Sequence, residues 1–167
     1  LLSFGACLLK MSSSTPSCER LCRPLAGWQL HEFDSLPSTN PVAGALPPWH
    51  AVRADVQTQG RGRTGRVWVS DQGGLWLSCV LPAPGPRKKW SILPLGAGWA
   101  IIEALRPLGV QELRLRWPND VLCGRRKLAG ILVEQFRPET AVIGVGINIA
   151  NRPASLDPAL SGHTVDV

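Results

Sequence analysis

Between Gly60 and Arg66 the chain reads GRGRTGR, three arginines and three glycines with no acid among them. Glycine allows close backbone approach, so several N–H groups can converge on one anion, and arginine adds paired donors. The stretch has the chemistry of a clasp for phosphate and carboxylate. Two later motifs are compatible with it. RWPNDVL at 116–122 places Asn119 and Asp120 just past a strand-like run, and Lys127 opens KLAGILVE. GVGIN then sets Gly144, Gly146 and Asn148 in another strand-like run. Each alone is weak. An Asn-Asp pair is usually a turn, a strand glycine is often a bulge, and a lysine at a strand start is usually a solvated end.

Other readings of the loop are open at this level. Gly60, Gly62 and Gly65 spell G-x-G-x-x-G, the dinucleotide pattern. That pattern needs the glycines to lead from a strand straight into a helix, whose N-terminus receives the pyrophosphate. Here RVWVS follows, and its alternation predicts a strand. The Walker pattern fails too, because no G-K-[ST] closes the loop. Arg-Gly sequences bind single-stranded RNA by charge and stacking, although this is one loop and not a repeated tract. A basic surface turn is the plainest alternative.

Such residues need a scaffold, and the chain has the pattern for one. GWQLHEF, HAVRADVQTQ, RVWVS, LWLSCVL, ELRLRW, KLAGILVEQF and TAVIGVGINIA read as strands, with RVWVS and LWLSCVL paired around a turn at 71–74. After STN a short helix is expected, with Asn40 as N-cap and Pro41 at the first helical position. The clearest helix spans 91–106. Ile92, Leu95, Trp99, Ile102 and Leu105 recur at spacings of 3 and 4, one apolar stripe toward a core. Pro94 sits harmlessly in its first turn, and Pro107 and Gly109 end it. Strands, one long helix and more strands predict an α+β domain: a mixed, mainly antiparallel sheet with helices packed on one side.

The bulk properties agree. The 167 residues suffice for one domain with a real core, and 44% hydrophobic with 18% charged residues reads as globular. A net charge of +6 suits an anionic partner or simple solubility. No run approaches the ~18 apolar residues of a membrane span. Five cysteines, at 7, 18, 22, 79 and 123, are odd in number and irregular in spacing. Cys18 and Cys22 lack a second pair and a nearby His doublet, so no metal site is expected, and reduced thiols in the cytoplasm are the reading.

Taken in order, STN (38–40), QTQGRGRTGRVW (57–68), RWPNDVL, RKLAGILVE and GVGIN resemble the biotin protein ligases, the catalytic domain of bacterial biotin–[acetyl-CoA-carboxylase] ligase, from about Leu30 to Arg152. The resemblance implies the biotin-lipoate ligase catalytic fold, which is class II aminoacyl-tRNA synthetase-like. It implies a two-step reaction: biotin's carboxylate attacks the α-phosphate of ATP, then a carrier lysine attacks biotinyl-5′-AMP. ATP, Mg2+ and biotin would be required, and the acceptor would be a biotin carboxyl-carrier protein. Lys127, Arg63 and Asp120 would be catalytic. Ser38, Thr39, Asn40, Gln57, Arg61, Gly62, Arg63, Lys127 and Gly130 would bind biotin. Arg63, Arg66, Trp68, Asn119, Lys127, Gly146 and Asn148 would bind the nucleotide. Gly130 and Gly146 would let the ligand approach the backbone closely, and Trp68 would anchor the loop or form a wall.

The same resemblance implies a layout. Residues 1–26 would be a loose leader and 27–167 a catalytic domain incomplete at its C-terminus. The family's winged-helix domain and SH3-like end domain would be absent, so DNA binding is not expected, while a homodimer is compatible. A lipoate or octanoate ligase or transferase on the same fold, and an inactive relative, are the alternatives.

Overall fold

The computed structural model describes residues 19–83 and 87–150. Its eight strands are β1 Glu19–Leu25, β2 Trp28–Leu36, β3 His50–Gln57, β4 Leu75–Pro82, β5 Leu113–Arg116, β6 Asp120–Cys123, β7 Arg126–Arg137 and β8 Thr140–Ile147. They form one sheet in the order β1-β2-β3-β4-β8-β7-β6-β5. β2 and β3 are parallel, and every other neighbouring pair is antiparallel. A parallel pair needs a crossover, and α1 Thr39–Gly44 lies in it. α2 Leu93–Leu105 lies in the connection from β4 to β5.

Residue parity in the central strands decides what each face does. Ser78, Gly144 and Leu132 are directly opposite one another across β4, β8 and β7, so they share a face. On that face Val80 and Val142 pack with Phe33, Leu36, Val52 and Ala54 around Ala43 of α1. On the other face Ile131, Ile143 and Ile147 pack with Val121 against Ile101 and Ile102 of α2. Each such fully buried aliphatic side chain contributes about 1.5–3 kcal/mol of burial energy.

The α+β class and the mixed, mainly antiparallel sheet are as expected. The short helix is the exception to one-sided layering, since α1 and α2 cover opposite faces. Local expectations change for physical reasons. Asn40 is not the cap of α1; Ser38 is the N-cap residue, and Asn40 turns to the sheet, donating to Glu134 Oε2 (2.8 Å) and Leu132 O (3.3 Å). RVWVS is not a strand. It makes only two isolated bridges, Gln57–Ser70 and Arg61–Val67, and β4 pairs with β3 and β8 instead of forming a hairpin with it. What excludes the dinucleotide loop is still the missing helix: a short 3-10 turn at Arg63–Gly65 follows Gly62, and extended chain follows that.

The packed face of α2 is also shifted. Leu93, Ala97, Gly98, Ile101, Ile102 and Leu105 face the core, while Trp99 and Ile92 are exposed. The helix is apolar around most of its circumference, so several stripes fit the sequence equally well.

Residues 19–25 depart from the loose-leader expectation. They form an exposed edge strand, held by its ladder to β2 and by ion pairs of Arg20 with Asp34 and Asp55 (both 2.7 Å). With no buried side there is no alternation to read, and Pro24 suits an edge. β6 was not expected either, because its four residues sit between two turns. Residues 1–18 with Cys7 and Cys18, the 84–86 part of the Pro-rich connection and the 151–167 tail lie outside the described residues.

Candidate functional site

A cavity of about 530 Å3 opens on the face of the sheet that carries α1. Its floor is built from glycine. Gly130 of β7 and Gly146 of β8 are directly opposite one another. The indole of Trp68 lies over both: a Cβ at Gly130 would stand 2.9 Å from Trp68 Cζ3, and one at Gly146 2.5 Å from Trp68 Nε1. The close backbone approach expected of these glycines is therefore made, in this structure, by the loop's own tryptophan. Gly144, the next inward position, would collide in the same way with the Asn40 amide.

One end of the cavity is a hydrogen-bonded polar set. Gln57 Oε1 accepts from Thr39 N (2.8 Å) and Thr39 Oγ1 (3.1 Å), and Gln57 Nε2 donates to Ser70 Oγ (2.9 Å). The buried Ser78 hydroxyl lies 2.7 Å from Thr39 Oγ1 and 2.5 Å from Asn40 Oδ1. Ser38, Thr39, Asn40 and Asn148 are all buried. The bonds joining Thr39, Asn40, Gln57, Ser70 and Ser78 hold their donors and acceptors in fixed directions.

The other end is charged. Lys127 Nζ is 2.7 Å from Asp120 Oδ1 and 4.9 Å from the Trp68 ring centroid. Arg116 Nε donates to Asp120 Oδ2 at 3.2 Å. The buried carboxylate of Asp120 thus has two cations on it, which is what makes its burial tolerable. Arg63 donates to Asn119 Oδ1 (3.1 Å), and Asn119 Nδ2 donates to Ile131 O (2.9 Å). Arg61 pairs with Glu134 (2.9 Å) at the rim. The loop is closed by Gly62 N donating to Arg66 O (2.6 Å) and Trp68 N to Gly60 O (2.9 Å), and it turns through left-handed Thr64 and Gly65. Arg61, Arg63, Arg66, Arg116, Arg125 and Lys127 line the cavity against the single carboxylate of Asp120. That imbalance draws in a polyanion.

Every residue to which the resemblance gives a catalytic or ligand-binding role lines this one cavity: Ser38, Thr39, Asn40, Gln57, Arg61, Gly62, Arg63, Arg66, Trp68, Asn119, Asp120, Lys127, Gly130, Gly146 and Asn148. Three partners were not foreseen. Arg116 had a signal, a cation four residues before Asp120 across the β5–β6 turn. Ser78 also had one, as a polar residue between Trp76 and Val80 on the inward side of β4. Glu134 had none, since its role depends on the fold bringing it to Asn40 and Arg61.

Comparison with known proteins is consistent with this geometry. The profile of the biotin/lipoate A/B protein ligase family matches residues 44–148. The chain is 36% identical over 137 residues to the bifunctional ligase/repressor BirA of Bacillus subtilis, covering 76% of the chain and 42% of that protein. It is 42% identical over 110 residues to the biotin–[acetyl-CoA-carboxylase] ligase of Mycobacterium tuberculosis, covering 63% and 41%. The chain thus spans about two-fifths of the length of these curated relatives. The Aquifex aeolicus biotin protein ligase in complex with biotin and ATP superposes with a TM-score of 0.72 at 31% identity, covering 82% of this chain and 58% of that one.

Proposed function

Given that the chain belongs to the biotin/lipoate A/B protein ligase family, we propose that it activates biotin with ATP and transfers it to a lysine of a biotin carboxyl-carrier protein. In the first step a biotin carboxylate oxygen attacks the α-phosphorus of ATP, the bond to the β-phosphate oxygen breaks, and pyrophosphate leaves. Two anions must meet, so the barrier is lowered by fixed cations at the meeting point. Lys127 supplies a point charge there, held in place by Asp120 and by the face of Trp68. Arg63 and Arg66 neutralise the adenylate, and Gly62 admits it to the loop backbone. Thr39, Asn40 and Gln57, already oriented by Ser78 and Ser70, offer directed donors and acceptors to the ureido ring.

In the second step the amine of the acceptor lysine attacks the biotinyl carbonyl carbon, the carbon–oxygen bond to phosphate breaks, and AMP leaves. Asp120 is the carboxylate lining the cavity, and exchanging one of its cation partners for the incoming ammonium would let it orient that group or take its proton. The Mg2+ of the reaction is read as arriving with ATP. Both oxygens of Asp120 are engaged by cations and Glu134 is engaged by Arg61, so these carboxylates do not fit a protein-held Mg2+. No step here is routed through it. The proposed setting is the cytoplasm. As a separate fact, no helix among the described residues is long and apolar enough to cross a membrane.

The observation that carries the reading is the shared cavity, with a directed polar end and a cationic end joined across Trp68. The test is incubation of the chain with labelled biotin, ATP and a biotin-carrier domain. Label on the carrier lysine, dependent on ATP and not competed by lipoate, is expected. Label chased by lipoate would move the chain to acyl ligases of the lipoate type. The absence of biotinyl-5′-AMP would remove the proposal.

A further inference from the structure

At the outer side of the cavity the β5–β6 ribbon carries two arginines to which biotin activation gives no task. β5 is the last strand of the sheet. Its Leu113 and Leu115 pack toward α2, so Arg114 and Arg116 stand on the opposite face, the one that holds the cavity. Arg116 is taken by Asp120. Arg114 is exposed, stands opposite Leu122 of β6, and forms no salt bridge among the described residues. The turns at the two ends of β6 both reach the cavity, Trp117–Pro118 at one end and Arg125 at the other. Arg125 is likewise exposed and without a carboxylate partner among the described residues. Glu112, the acid at this end, lies beside Gly124 and pairs with neither.

Apolar side chains stand at the same mouth. Trp117 is 69% exposed and Val67 of the loop 82%. Both line the biotin cavity, and both line a second cavity of about 1020 Å3 that shares this wall and continues past Trp90, Pro94 and Val133. Exposed indole beside unpaired guanidinium is the composition of a protein-binding surface, where Trp and Arg carry most of the energy. The transfer step calls for such a surface. Its amine is borne on a protein, and a cavity of about 530 Å3 admits a lysine side chain but not the domain that presents it. That domain must rest at the mouth. A single-stranded nucleic acid would need a row of stacking faces. Trp117 is the one exposed aromatic residue lining either cavity.

We infer that the β5–β6 ribbon is the docking lip for the acceptor protein. Arg114 and Arg125 receive carboxylates that flank the acceptor lysine, and Trp117 with Val67 receives an aliphatic side chain beside it. The inference rests on the biotin transfer proposed above and names what recognises its second substrate. Charge divides the labour. The adenylate neutralises Arg63 and Arg66 inside the cavity, and Arg114 and Arg125 are left at the lip for an acidic protein surface. Such rim charges act mainly on encounter and on salt dependence, whereas the indole acts on retention. These residues position the acceptor and take no part in bond making.

The test uses the full chain, preformed biotinyl-5′-AMP and two nucleophiles: a biotin-carrier domain, and hydroxylamine, which needs no docking. Arg114→Glu and Trp117→Ala should each raise KM for the carrier domain about 10-fold and leave kcat unchanged, the mark of lost binding without lost chemistry. The hydroxylamine reaction and ATP–pyrophosphate exchange should stay as in the wild type, which also shows that the variants fold. Added salt should raise the wild-type KM, and raise it less in Arg114→Glu. A carrier domain with lysine in place of a carboxylate next to its acceptor lysine should recover affinity for Arg114→Glu. Unchanged KM in both variants overturns the inference, and so does an equal fall in the hydroxylamine reaction. Binding of a single-stranded oligothymidylate that Arg114→Glu abolishes, with the carrier KM untouched, gives the lip to nucleic acid and overturns it too. If the wild type makes no biotinyl-5′-AMP from biotin and ATP, the biotin reading falls and the inference with it. Normal adenylate formation with an unchanged KM removes the docking lip alone.

Discussion

The cavity and the β1 edge are both dense in charge, and they use it in opposite ways. At the edge Arg20, Arg23 and Arg53 face Glu32, Asp34 and Asp55, and the pairs close on themselves at 2.7–3.2 Å. Six cations line the cavity; Arg116 and Lys127 pair with Asp120 and Arg61 with Glu134, while Arg63, Arg66 and Arg125 form no salt bridge among the described residues. The edge charges close on one another, and half of the cavity charges are left without a carboxylate. Charge imbalance, more than charge density, marks where a ligand belongs. The glycines mark the same place. Gly130 and Gly146 clear the sheet for the Trp68 indole and Gly144 for the Asn40 amide, the side chains that wall the cavity.

Breaking the cavity side of this contrast should have the largest effect. Lys127→Ala removes the point charge between carboxylate and phosphate, and adenylate formation should fall about 100- to 1,000-fold in ATP–pyrophosphate exchange. A drop under ~10-fold would mean the cation excess is not aimed at the reaction. Asp120→Asn should slow transfer from preformed biotinyl-5′-AMP to the carrier by about 100-fold. If transfer and adenylation both stay normal, Asp120 is only the partner of Arg116 and Lys127.

The remaining tests sharpen the contrast on the stability side. Ser78→Ala strips a buried hydroxyl from between Thr39 and Asn40 and should cost about 1–3 kcal/mol in urea unfolding. Arg23→Ala, at the edge, should cost no more than about 1 kcal/mol, because the guanidinium is half exposed and the buried Glu32 keeps Arg53. The edge should also be the acid-sensitive region. Burial pushes the Glu32 carboxyl up, but the hydrogen bonds and charges of Arg53 and Arg23 outweigh it and hold the group below its ordinary range. A depressed carboxylate contributes stability above its unfolded pKa, near ~4.3, and loses it as pH falls through the lower folded value. Amides of β1 should then lose exchange protection before those of β7 and β8. Simultaneous loss would show that the edge pairs do not act locally.

Much of the site could be read from the sequence because its residues come in short runs with rare types: the Arg-Gly loop, the Asn-Asp pair, the lysine at a strand start. Each run alone is weak, but their order and spacing along the chain can be read without the fold. Strands with one buried face were legible for the same reason. Ser78 and Glu134 were not, because each acquires its role from partners brought in by the sheet. β1 was hidden by its lack of a buried side. The edge contacts of His31 with Glu19, Cys22 and His50 are the extreme case, since no two of these residues are sequence neighbours and only strand pairing joins them. The shifted face of α2 shows the opposite difficulty, a segment so apolar that its pattern allows too many answers.

β8 carries one further consequence. Its odd positions, Ile143, Val145 and Ile147, fill the core against α2, and its even positions, Val142, Gly144, Gly146 and the following Asn148, face α1 and the cavity. Two texts are interleaved in one strand and read in alternate letters. A single-residue deletion just ahead of it would exchange them, sending Val145 and Ile147 into the space kept for Trp68 and placing glycines in the core. Substitutions in β8 can be judged one face at a time, but an insertion or deletion there damages stability and ligand space in one event.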